Sequence, residues 1–351
     1  MSNLTVEAGR SSAYFSESRK KGASKFVLGL ALLVYALMTC VPFYFLTVRT
    51  LIPTSKSSQF HWYPPHVDDF DMEATYGGIA VNFNLNLNKF KEAIGITGYI
   101  SPHTTFNEIA DKHLISKEKI MNYMNPYMRF NGWLVVLKDD RFIRSVISTV
   151  LLVSSSIVVG GFFGIMTGFG LAGLRRKWKT SIYNLYLMQV IIPPMMIMVP
   201  TFIIISNYLN LYDSYFSLFL LNIKGGALST MVFTSYISTI PVDLKESVEI
   251  DGGSKLSYFI HIVLPLMKVP FASFTAISLP LFWNNLLDGL LYLKPEKYTL
   301  TPLISNLQGT FSTNFQAVFS GLALSLIPIL LIYLLFQDLF VKSALSGAVK
   351  G

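Results

Sequence analysis

Hydrophobic and polar residues follow one another along this chain in long blocks rather than at short intervals. Several apolar runs reach the roughly 20 residues that a helix needs to cross a bilayer. They lie at 26–48, 143–174, 182–206, 217–240, 266–291 and 317–340. Runs of this length with few charges are typical of transmembrane helices, so the pattern predicts an all-α polytopic membrane protein with six transmembrane helices.

Lysine and arginine residues are concentrated in alternate connections between the runs. They cluster before the first run, at 175–179, around 241–265 and after the sixth run, whereas the short connection 207–216 has none. Basic residues near the ends of spans stay on the cytoplasmic side of a membrane. We therefore predict a cytoplasmic N-terminal segment, 1–25, a retained first helix rather than a cleaved signal peptide, and a cytoplasmic C-terminal tail, 341–351.

The longest polar segment, 49–141, separates the first two runs and lies outside by the same rule. Apolar and polar residues alternate over 79–90, which favours one or two strands. Thr105 and Glu108 have the spacing of a capping box, which predicts a helix that Asn125-Pro126 then ends. The segment is therefore predicted to be a mixed α/β extracytoplasmic insertion, and 142–351 to be a core that holds the remaining helices.

The amino-acid composition is typical of a membrane protein and indicates which kinds of partner to expect. Hydrophobic residues make up 52% of the 351 residues and charged residues 14%, against about 25% charged in soluble domains. The net charge of +8 comes largely from basic residues at cytoplasmic span ends, where they meet anionic headgroups. The charge therefore predicts a lipid bilayer as partner and no nucleic acid.

Sequence motifs for nucleotide, metal and catalytic chemistry are missing. The chain has no Gly-x4-Gly-Lys-Ser/Thr phosphate loop, so we do not expect it to bind or hydrolyse ATP. Its five histidines and the single Cys40 lack the spacing of metal ligands. We predict a chain that is not an enzyme and has no cofactor or metal of its own.

The segment 241–265, which we call the knob, is polar although hydrophobic runs flank it. Pro241 ends the fourth run and precedes a short amphipathic helix. The Asp-Gly-Gly-Ser sequence at 251–254 predicts a tight break, because glycine accepts positive φ and permits close backbone approach. A second helix is predicted over 255–264, with Pro265 stopping it. By pattern alone, a docking surface for another protein and an ordinary helical connection fit equally well.

The order of residues in the knob resembles one family. Glu-(x)4-Asp-Gly-(x)6-Phe-(x)4-Leu-Pro runs from Glu246 to Pro265 and is similar to the cytoplasmic loop of ATP-binding-cassette (ABC) importer permeases, most closely the maltose-type carbohydrate permeases. The resemblance covers roughly 144–351. Its other motifs are Pro193-Pro194 with Pro200, Leu211-Tyr212-Asp213, Ile240-Pro241, Trp283-Asn284, Tyr298-Thr299-Leu300, and a C-terminus, Phe340-Val341 with 347–351, like that of the smaller maltose permease subunit.

The resemblance implies a type I ABC importer permease fold and a role in carbohydrate import, with an oligosaccharide or glycoside as cargo. The implied partners are a second permease subunit, two ATPase subunits that carry ATP and Mg, and an extracytoplasmic substrate-binding protein. The implied location is the bacterial cytoplasmic membrane. The C-terminal tail is implied to contact the ATPase pair.

By the same resemblance the knob is the coupling helix that docks into the ATPase. Its implied contacts are the acidic Glu246 and the packed surface of Ser247 and Val248. The implied turn is formed by Asp251, Gly252 and Gly253, and Pro265 closes the motif. Ser247-Val248 stands where the family has two alanines, and Gly253 where it has another small residue, so selectivity for the ATPase is expected to differ. The outer insertion is not a feature that the resemblance implies.

A few polar residues interrupt the apolar runs and are candidates for a substrate path. Lys224 breaks the fourth run, and Trp283, Asn284, Asn285 and Asp288 lie in the fifth. Charge inside a span often lines a ligand path, and Asp288 can accept hydrogen bonds from sugar hydroxyls. Alternatively, Lys224 snorkels to the outer headgroups, and Asn284 and Asn285 hydrogen-bond between helices.

Three other functions remain as alternatives. The same machinery can carry another cargo, such as a polyamine, a peptide or a phosphate ester. An ion-coupled secondary transporter predicts carboxylates within spans and an inverted repeat, and neither is clear in the sequence. A membrane enzyme that uses the outer segment requires a nucleophile paired with a base, which the sequence does not offer.

Overall fold

The computed structural model describes residues 2–52, 62–63, 70–83, 86–223, 226–307 and 314–348. It divides into two compact units, an N-terminal unit, Met1–Asn131, and a C-terminal unit, Gly132–Gly351. Both units are helical. The residues described contain no strand beyond one isolated antiparallel bridge between Thr75 and Thr105.

The N-terminal unit contains one long helix and several short ones. They are α1 (Ser2–Thr50), α2 (Tyr76–Phe83), α3 (Leu87–Ile94), α4 (Phe106–His113) and the start of α5 (Lys117–Lys138). The part of α1 from Val27 to Thr50 is long and apolar enough to cross a membrane. Most of its large apolar side chains are exposed, as in a helix that faces lipid.

An aromatic core holds the short helices of the N-terminal unit together. The ring of Phe90 lies 5.6 Å from those of Tyr76 and Phe106 and 5.4 Å from that of Tyr123. The predicted capping box is confirmed: Thr105 Oγ1 accepts from the Glu108 N–H at 3.2 Å, and the Glu108 carboxylate accepts from the Thr105 N–H at 3.2 Å. Capping and apolar burial therefore fix these helices.

The prediction of strands over 79–90 is wrong, and the described residues do not confirm a mixed α/β insertion. Among the described residues, this stretch lies in α2 and α3. Tyr76 and Ile79 are buried three residues apart, and Phe90 and Ile94 four residues apart, which is helical spacing. Asn86 starts α3 because its side chain accepts hydrogen bonds from the N–H groups of the two residues beyond Leu87. Helical burial and this cap override the short alternating pattern.

The predicted end of the helix that begins at the capping box is also wrong. α4 ends at His113, because Leu114 adopts a left-handed conformation with φ 51°. α5 then runs through Asn125-Pro126 to Lys138. Burial of Ile120 before the proline and of Val136 after it stabilises both parts of α5.

The C-terminal unit is a bundle of long helices joined by short helical pieces. In chain order they are α6 (Asp140–Ala172), α7 (Arg176–Ile191), α8 (Pro194–Ile203), a π turn (Ile204–Tyr208), α9 (Tyr215–Ile223), α10 (Ala227–Ile237), α11 (Val242–Ile250), α12 (Lys255–Tyr258), a second π turn (Phe259–Val263), α13 (Leu264–Leu266), α14 (Lys268–Trp283), α15 (Leu286–Tyr292), a 3-10 turn (Pro295–Lys297), α16 (Leu300–Asn306) and α17 (Phe315–Ala348).

By length and composition, three helices in the described residues can each cross a membrane alone: Val27–Thr50, Asp140–Ala172 and Phe315–Asp338. The total rises to six if each of three bent helix pairs counts as one span. One pair, Arg176–Ile191 with Pro194–Tyr208, is bent by 98°. Pro193-Pro194 explains this break, since proline cannot continue a helix through its interior.

Close packing around α6 organises the core of the C-terminal unit. A Cβ atom added at Gly164 would lie 2.8 Å from the Ser229 Cβ, and one at Gly168 would lie 2.9 Å from the backbone N of Thr234. The absence of side chains at these two glycines therefore lets α10 approach α6 closely. This packing places the end of α6 beside the knob.

Candidate functional site

The knob consists of two helices joined by a turn that satisfies its own backbone. α11 ends at Ile250 and α12 begins at Lys255, as predicted. The Gly253 N–H donates to the Val248 carbonyl at 2.8 Å, and the Gly252 N–H donates to the Glu249 carbonyl at 3.1 Å. These two bonds form a Schellman motif, in which the last carbonyls of a helix are satisfied by the chain that leaves it.

The two glycines of the turn are required for different reasons. Gly252 has φ 73° with open space around the position of a Cβ atom, so its requirement is purely conformational. Gly253 is required by contact, because a Cβ atom there would lie 2.5 Å from Val248 Cγ1 and 2.9 Å from the Val248 carbonyl oxygen. The predicted tight break at 251–254 is thus confirmed as a compact, closed turn.

The second helix of the knob does not stop at Pro265, contrary to the prediction. Ser254 caps α12 by accepting from the Ser257 N–H at 3.2 Å. The π turn Phe259–Val263 follows, and Pro265 lies inside the short α13. Proline has no N–H to donate, and the wider turn just before it accommodates this loss. The chain bends instead at Met267, where the Lys255–Leu266 and Lys268–Trp283 helices meet at 61°.

One side of the knob is buried against the bundle. Phe259 is 8% exposed and Val263 is fully buried. The ring of Phe169, near the end of α6, lies 5.0 Å from that of Phe259 and 6.1 Å from that of Tyr258. Burial raises the pKa of the Tyr258 phenol. Aromatic contacts therefore attach the knob to α6.

The other side of the knob presents an exposed apolar and acidic surface. Ile250 is 84% exposed and Leu256 is 64% exposed, so the apolar residues of the knob are only partly buried. Lys245 pairs with Glu249 at 3.5 Å, whereas Glu246 is exposed and makes no ion pair with any residue that the structure describes. Glu246 is thus an acidic group that is available for an outside partner.

The remaining knob residues have mixed surroundings. The exposed Ser247 hydroxyl donates to the Asp243 carbonyl at 2.8 Å, and Val248 is half-buried beneath Gly253. Asp251 is exposed at the end of α11, where its N–H donates to the Ser247 carbonyl at 3.0 Å. Ser247 is therefore accessible, while Val248 contributes to the packing of the turn.

The substrate-path candidates fall into two groups. Trp283 is buried in the bundle core, and its carbonyl accepts from the Thr301 hydroxyl at 2.9 Å. Asn284 is exposed, and its side chain donates to the Pro280 carbonyl at 3.0 Å. Neither contact tests a role in a substrate path, and Lys224 lies outside the described residues.

Asn285 and Asp288 are brought together at the start of α15. The Asn285 Oδ1 accepts from the Asp288 N–H at 3.3 Å and its Nδ2 donates to the Asp288 Oδ2 at 2.9 Å. This cap starts a new helix, so the fifth apolar run is two helices rather than the single helix predicted over 266–291. Both side chains line a cavity of about 210 Å³.

The cavity lies between α8, α9 and α15 of the C-terminal unit. Its walls are mostly apolar, with polar groups from a few residues. The lining residues are Pro194, Met195, Ile197, Met198, Thr201, Leu221, Asn285, Leu287, Asp288 and Tyr292. The contribution of α8 to this cavity was not predicted from the sequence. The Pro193-Pro194 pair could have indicated it, because these prolines turn α8 away from the direction of α7.

A charged tie connects two loops that lie between candidate spans. Asp213 Oδ1 accepts from the Lys294 N–H at 3.1 Å, and Lys297 Nζ lies 3.1 Å from Asp213 Oδ2. The hydrogen bond from the Lys294 N–H contributes most to holding the pKa of Asp213 below its ordinary value, and the interaction with Lys297 adds to it. No group of three or more histidine, cysteine or acidic residues in the described part of the chain could hold a metal ion.

The bent helices and the apolar spans define a multi-pass membrane protein. The model of one protein family matches residues 160–345, and that family is described as the inner membrane component of binding-protein-dependent transport systems. The chain belongs to this family. It is therefore a transport subunit.

Curated relatives extend the similarity beyond the matched family region. The arabinooligosaccharides transport system permease protein AraQ of Bacillus subtilis is 30% identical over 66% of this chain and 80% of the relative. The melibiose/raffinose/stachyose import permease protein MelC of the same organism is 28% identical over 59% of this chain and 76% of the relative. The galactooligosaccharides permease protein GanQ, also of B. subtilis, is 27% identical over 73% and 83%.

The fold is also similar to that of a solved structure. A chain from a bacterial ABC transporter involved in the import of the acidic polysaccharide alginate superimposes with a TM-score of 0.59. The match covers 89% of this chain and 95% of that chain, at 16% sequence identity. Since the sequence identity is low, the likeness concerns the fold alone.

Proposed function

We propose that this chain is the permease subunit of an ABC importer that moves a carbohydrate, an oligosaccharide or glycoside, across the membrane. The observation that carries the proposal is the agreement among relatives that align over most of their own length. AraQ, MelC and GanQ are named for arabinooligosaccharides, for melibiose, raffinose and stachyose, and for galactooligosaccharides. The family membership supports import that depends on a binding protein.

The chain crosses the bacterial cytoplasmic membrane with six spans in this proposal. Three unbroken helices and three bent pairs supply them, and in the last pair only Lys268–Trp283 crosses, because Lys255–Leu266 belongs almost entirely to the cytoplasmic knob. Basic residues at 175–179 and around the knob support a cytoplasmic knob and cytoplasmic termini. The insertion between the first two spans then lies outside, as does the Asp213 loop.

The knob is the coupling helix in this proposal and docks onto an ATP-binding-cassette ATPase. Its closed turn, its exposed apolar residues and the unpaired carboxylate of Glu246 support a protein-docking role. Docking surfaces commonly combine apolar anchors with a charge that finds its partner across the interface. The partners are a second permease subunit, two ATPase subunits that hold ATP and Mg, and an extracytoplasmic substrate-binding protein. The tail 341–351 adds a further ATPase contact.

Force passes from the ATPase pair to the membrane helices through the knob. Closure of the ATPase subunits pushes the knob, and its attachment to α6 through Phe169 carries the movement into the bundle. The helices rock from an inward-open to an outward-open arrangement, which receives the sugar from the binding protein. Such rocking about a fixed site is the ordinary form of alternating access.

A pair of glutamates in α11 offers a matched test of docking. Glu246→Gln removes the carboxylate that has no described partner, whereas Glu249→Gln removes one that is paired within the knob. A charge-assisted contact is worth about 1.5–3 kcal/mol, so we expect Glu246→Gln to weaken ATPase co-purification roughly tenfold or more. The Glu249→Gln variant should retain the ATPase, and both should retain the partner permease.

Equal ATPase binding by both variants and the wild type would refute the docking role of Glu246. Carbohydrate import is tested separately, by uptake of raffinose, maltotriose and an arabinose trisaccharide into proteoliposomes that contain the full transporter and its binding protein. ATP-dependent uptake of at least one sugar is expected. Uptake of none of them, with ATP-dependent uptake of a peptide or polyamine instead, would overturn the carbohydrate assignment.

A further inference from the structure

The cavity between α8, α9 and α15 combines a carboxylate with apolar walls. Asp288 is half-buried at its rim and receives one hydrogen bond, from Asn285 Nδ2 to Oδ2 at 2.9 Å. No lysine, arginine or histidine among the described residues forms an ion pair with it. A carboxylate has two acceptor oxygens with several lone pairs, so Asp288 retains acceptor capacity that faces a 210 Å³ space.

Helix capping accounts for only part of this carboxylate, which lies in the first turn of α15 where the helix dipole favours an acidic side chain. The cap of α15 is made by Asn285 Oδ1, which accepts from the backbone N–H of residue 288. Any residue other than proline supplies that N–H. A charged side chain in an otherwise apolar run is costly to retain and usually marks a ligand path.

The size and lining of the cavity suit one sugar ring. Sites that bury a whole drug-sized ligand measure about 300–1,000 Å³, so 210 Å³ admits a smaller group. Met195, Met198 and Leu287 offer apolar walls for the carbon face of a ring, while Asp288 and Thr201 line it with oxygen atoms. Hydroxyl groups of a sugar donate well to a carboxylate, and charge-assisted hydrogen bonds are the stronger kind.

We propose that this cavity binds one neutral sugar unit of the cargo during its passage, with Asp288 accepting hydroxyl hydrogen bonds and disfavouring acidic sugars. A carboxylate on the sugar would meet the Asp288 carboxylate within the same cavity, and like charges repel. The site therefore selects by charge as well as by hydroxyl pattern. The inference rests on the proposed carbohydrate function and narrows it to neutral sugars at this subsite.

Thiol protection tests binding at the cavity without relying on the binding protein. In a Cys40→Ser background, Thr201→Cys and Leu287→Cys place thiols in the cavity wall, and Tyr99→Cys places a control thiol at an exposed position outside the candidate spans. The assembled transporter is labelled with a methanethiosulfonate reagent. Maltotriose or raffinose should slow labelling at 201 and 287 severalfold, with no effect at 99, and trigalacturonate should not protect.

The charge of Asp288 is tested in the same assay. With Asp288→Asn added, trigalacturonate should begin to protect positions 201 and 287. In uptake, Asp288→Leu should lower the sugar moved per ATP about tenfold, as expected for loss of a charged acceptor, while ATPase activity and assembly stay unchanged. Asp338→Asn on α17 removes a carboxylate outside the cavity and should leave uptake unchanged.

The outcomes separate this inference from the proposed function. Wild-type uptake of a neutral sugar, together with no protection at 201 or 287 and no effect of Asp288→Leu, would overturn the cavity assignment and leave carbohydrate import intact. Equal loss of uptake in Asp288→Leu and Asn285→Ala with loss of assembly would show a structural role and also overturn it. Absence of any wild-type sugar uptake would instead refute the carbohydrate function.

Discussion

The ring of Phe169 lies 5.0 Å from the ring of Phe259, with the two planes at 49°. Phe169 belongs to α6, the central span of the C-terminal unit, and Phe259 belongs to the knob. Tyr258 approaches the same Phe169 ring at 6.1 Å. Two consecutive aromatic residues of the knob therefore contact one side chain of a span, and a movement of the knob has a direct route into the bundle.

Replacing Phe169 by alanine should uncouple the knob from α6. An aromatic pair contributes about 0.5–1.5 kcal/mol beyond its buried area, so uptake per ATP should fall roughly two- to tenfold. ATPase co-purification should remain, because the exposed side of the knob is unchanged. The measurement is uptake and ATP hydrolysis in the same proteoliposomes. Phe163→Ala, an exposed position on the same helix, is the control, and an equal loss in both variants would contradict the specific contact.

The turn of the knob should tolerate alanine differently at its two glycines. Gly252→Ala imposes a left-handed conformation on alanine without a clash, at a cost of about 1–2 kcal/mol. Gly253→Ala forces a Cβ atom against Val248 and its carbonyl, and overpacking of this kind costs about 1–3 kcal/mol.

We therefore expect Gly253→Ala to lose more ATPase in co-purification than Gly252→Ala. Gly170→Ala in α6 has open space and an ordinary helical φ, so it should behave as the wild type. Combining Gly253→Ala with Val248→Ala removes the closest carbon contact and should restore part of the binding. A Gly253→Ala variant that binds as well as the wild type would contradict the packing of the turn.

The tie at Asp213 should make stability depend on pH at the acidic end. Because the pKa of Asp213 is lowered in the folded protein by the Lys294 N–H and by Lys297, its contribution is present above the ordinary aspartate pKa of about 4. The contribution is lost as the pH falls through the lower folded value. In thermal unfolding of the purified protein, Asp213→Asn should be less stable than the wild type at pH 7, and the difference should shrink below about pH 4.

Glu296→Gln is the matched control for this measurement, since Glu296 is an exposed carboxylate in the same loop that does not bind Asp213. It should show no such pH-dependent difference. A constant difference between Asp213→Asn and the wild type down to the lowest pH would contradict an electrostatic cause, since asparagine accepts the φ of 59° at this position as readily as aspartate does.

The aromatic core of the N-terminal unit should depend strongly on Phe90. Its side chain is fully buried and contacts the rings of Tyr76, Phe106 and Tyr123. Phe90→Ala should destabilise this core by about 3–5 kcal/mol, seen as faster limited proteolysis between residues 70 and 124 of the full-length protein. Tyr99→Ala, at a highly exposed position, should leave the cleavage rate unchanged. Unchanged cleavage of Phe90→Ala would contradict the core.

Unbroken spans could be predicted well from the sequence. The predicted runs 26–48, 143–174 and 317–340 correspond to Val27–Thr50, Asp140–Ala172 and Phe315–Asp338. The reason is physical: a helix in lipid must satisfy every backbone group internally, so length and hydropathy alone define it. The turn at Gly252-Gly253 was equally predictable, since glycine there has a local conformational cause.

The breaks within helices and the burial of individual side chains could not be predicted from length and hydropathy. The helix change at Asn285 depends on a side chain that competes for a backbone N–H, which looks in the sequence like any polar residue within a span. The bend at Met267 lies between Pro265 and Pro270, and the helix continues through the first of them, so proline alone does not locate the bend. The core around Phe90 is assembled from residues distant in sequence, so an alternating stretch there was compatible with strand or helix until those contacts formed. The docking role of the knob and the substrate path stay predictions.

The hydrogen bonds that close the turn at Gly252 and Gly253 all end on carbonyls of α11 itself. Both glycine N–H groups are therefore hydrogen-bonded without a partner protein. A surface that keeps its shape when free loses little conformational entropy when it is gripped. As the proposed coupling helix, the knob would therefore bind and release an ATPase in every turnover without refolding.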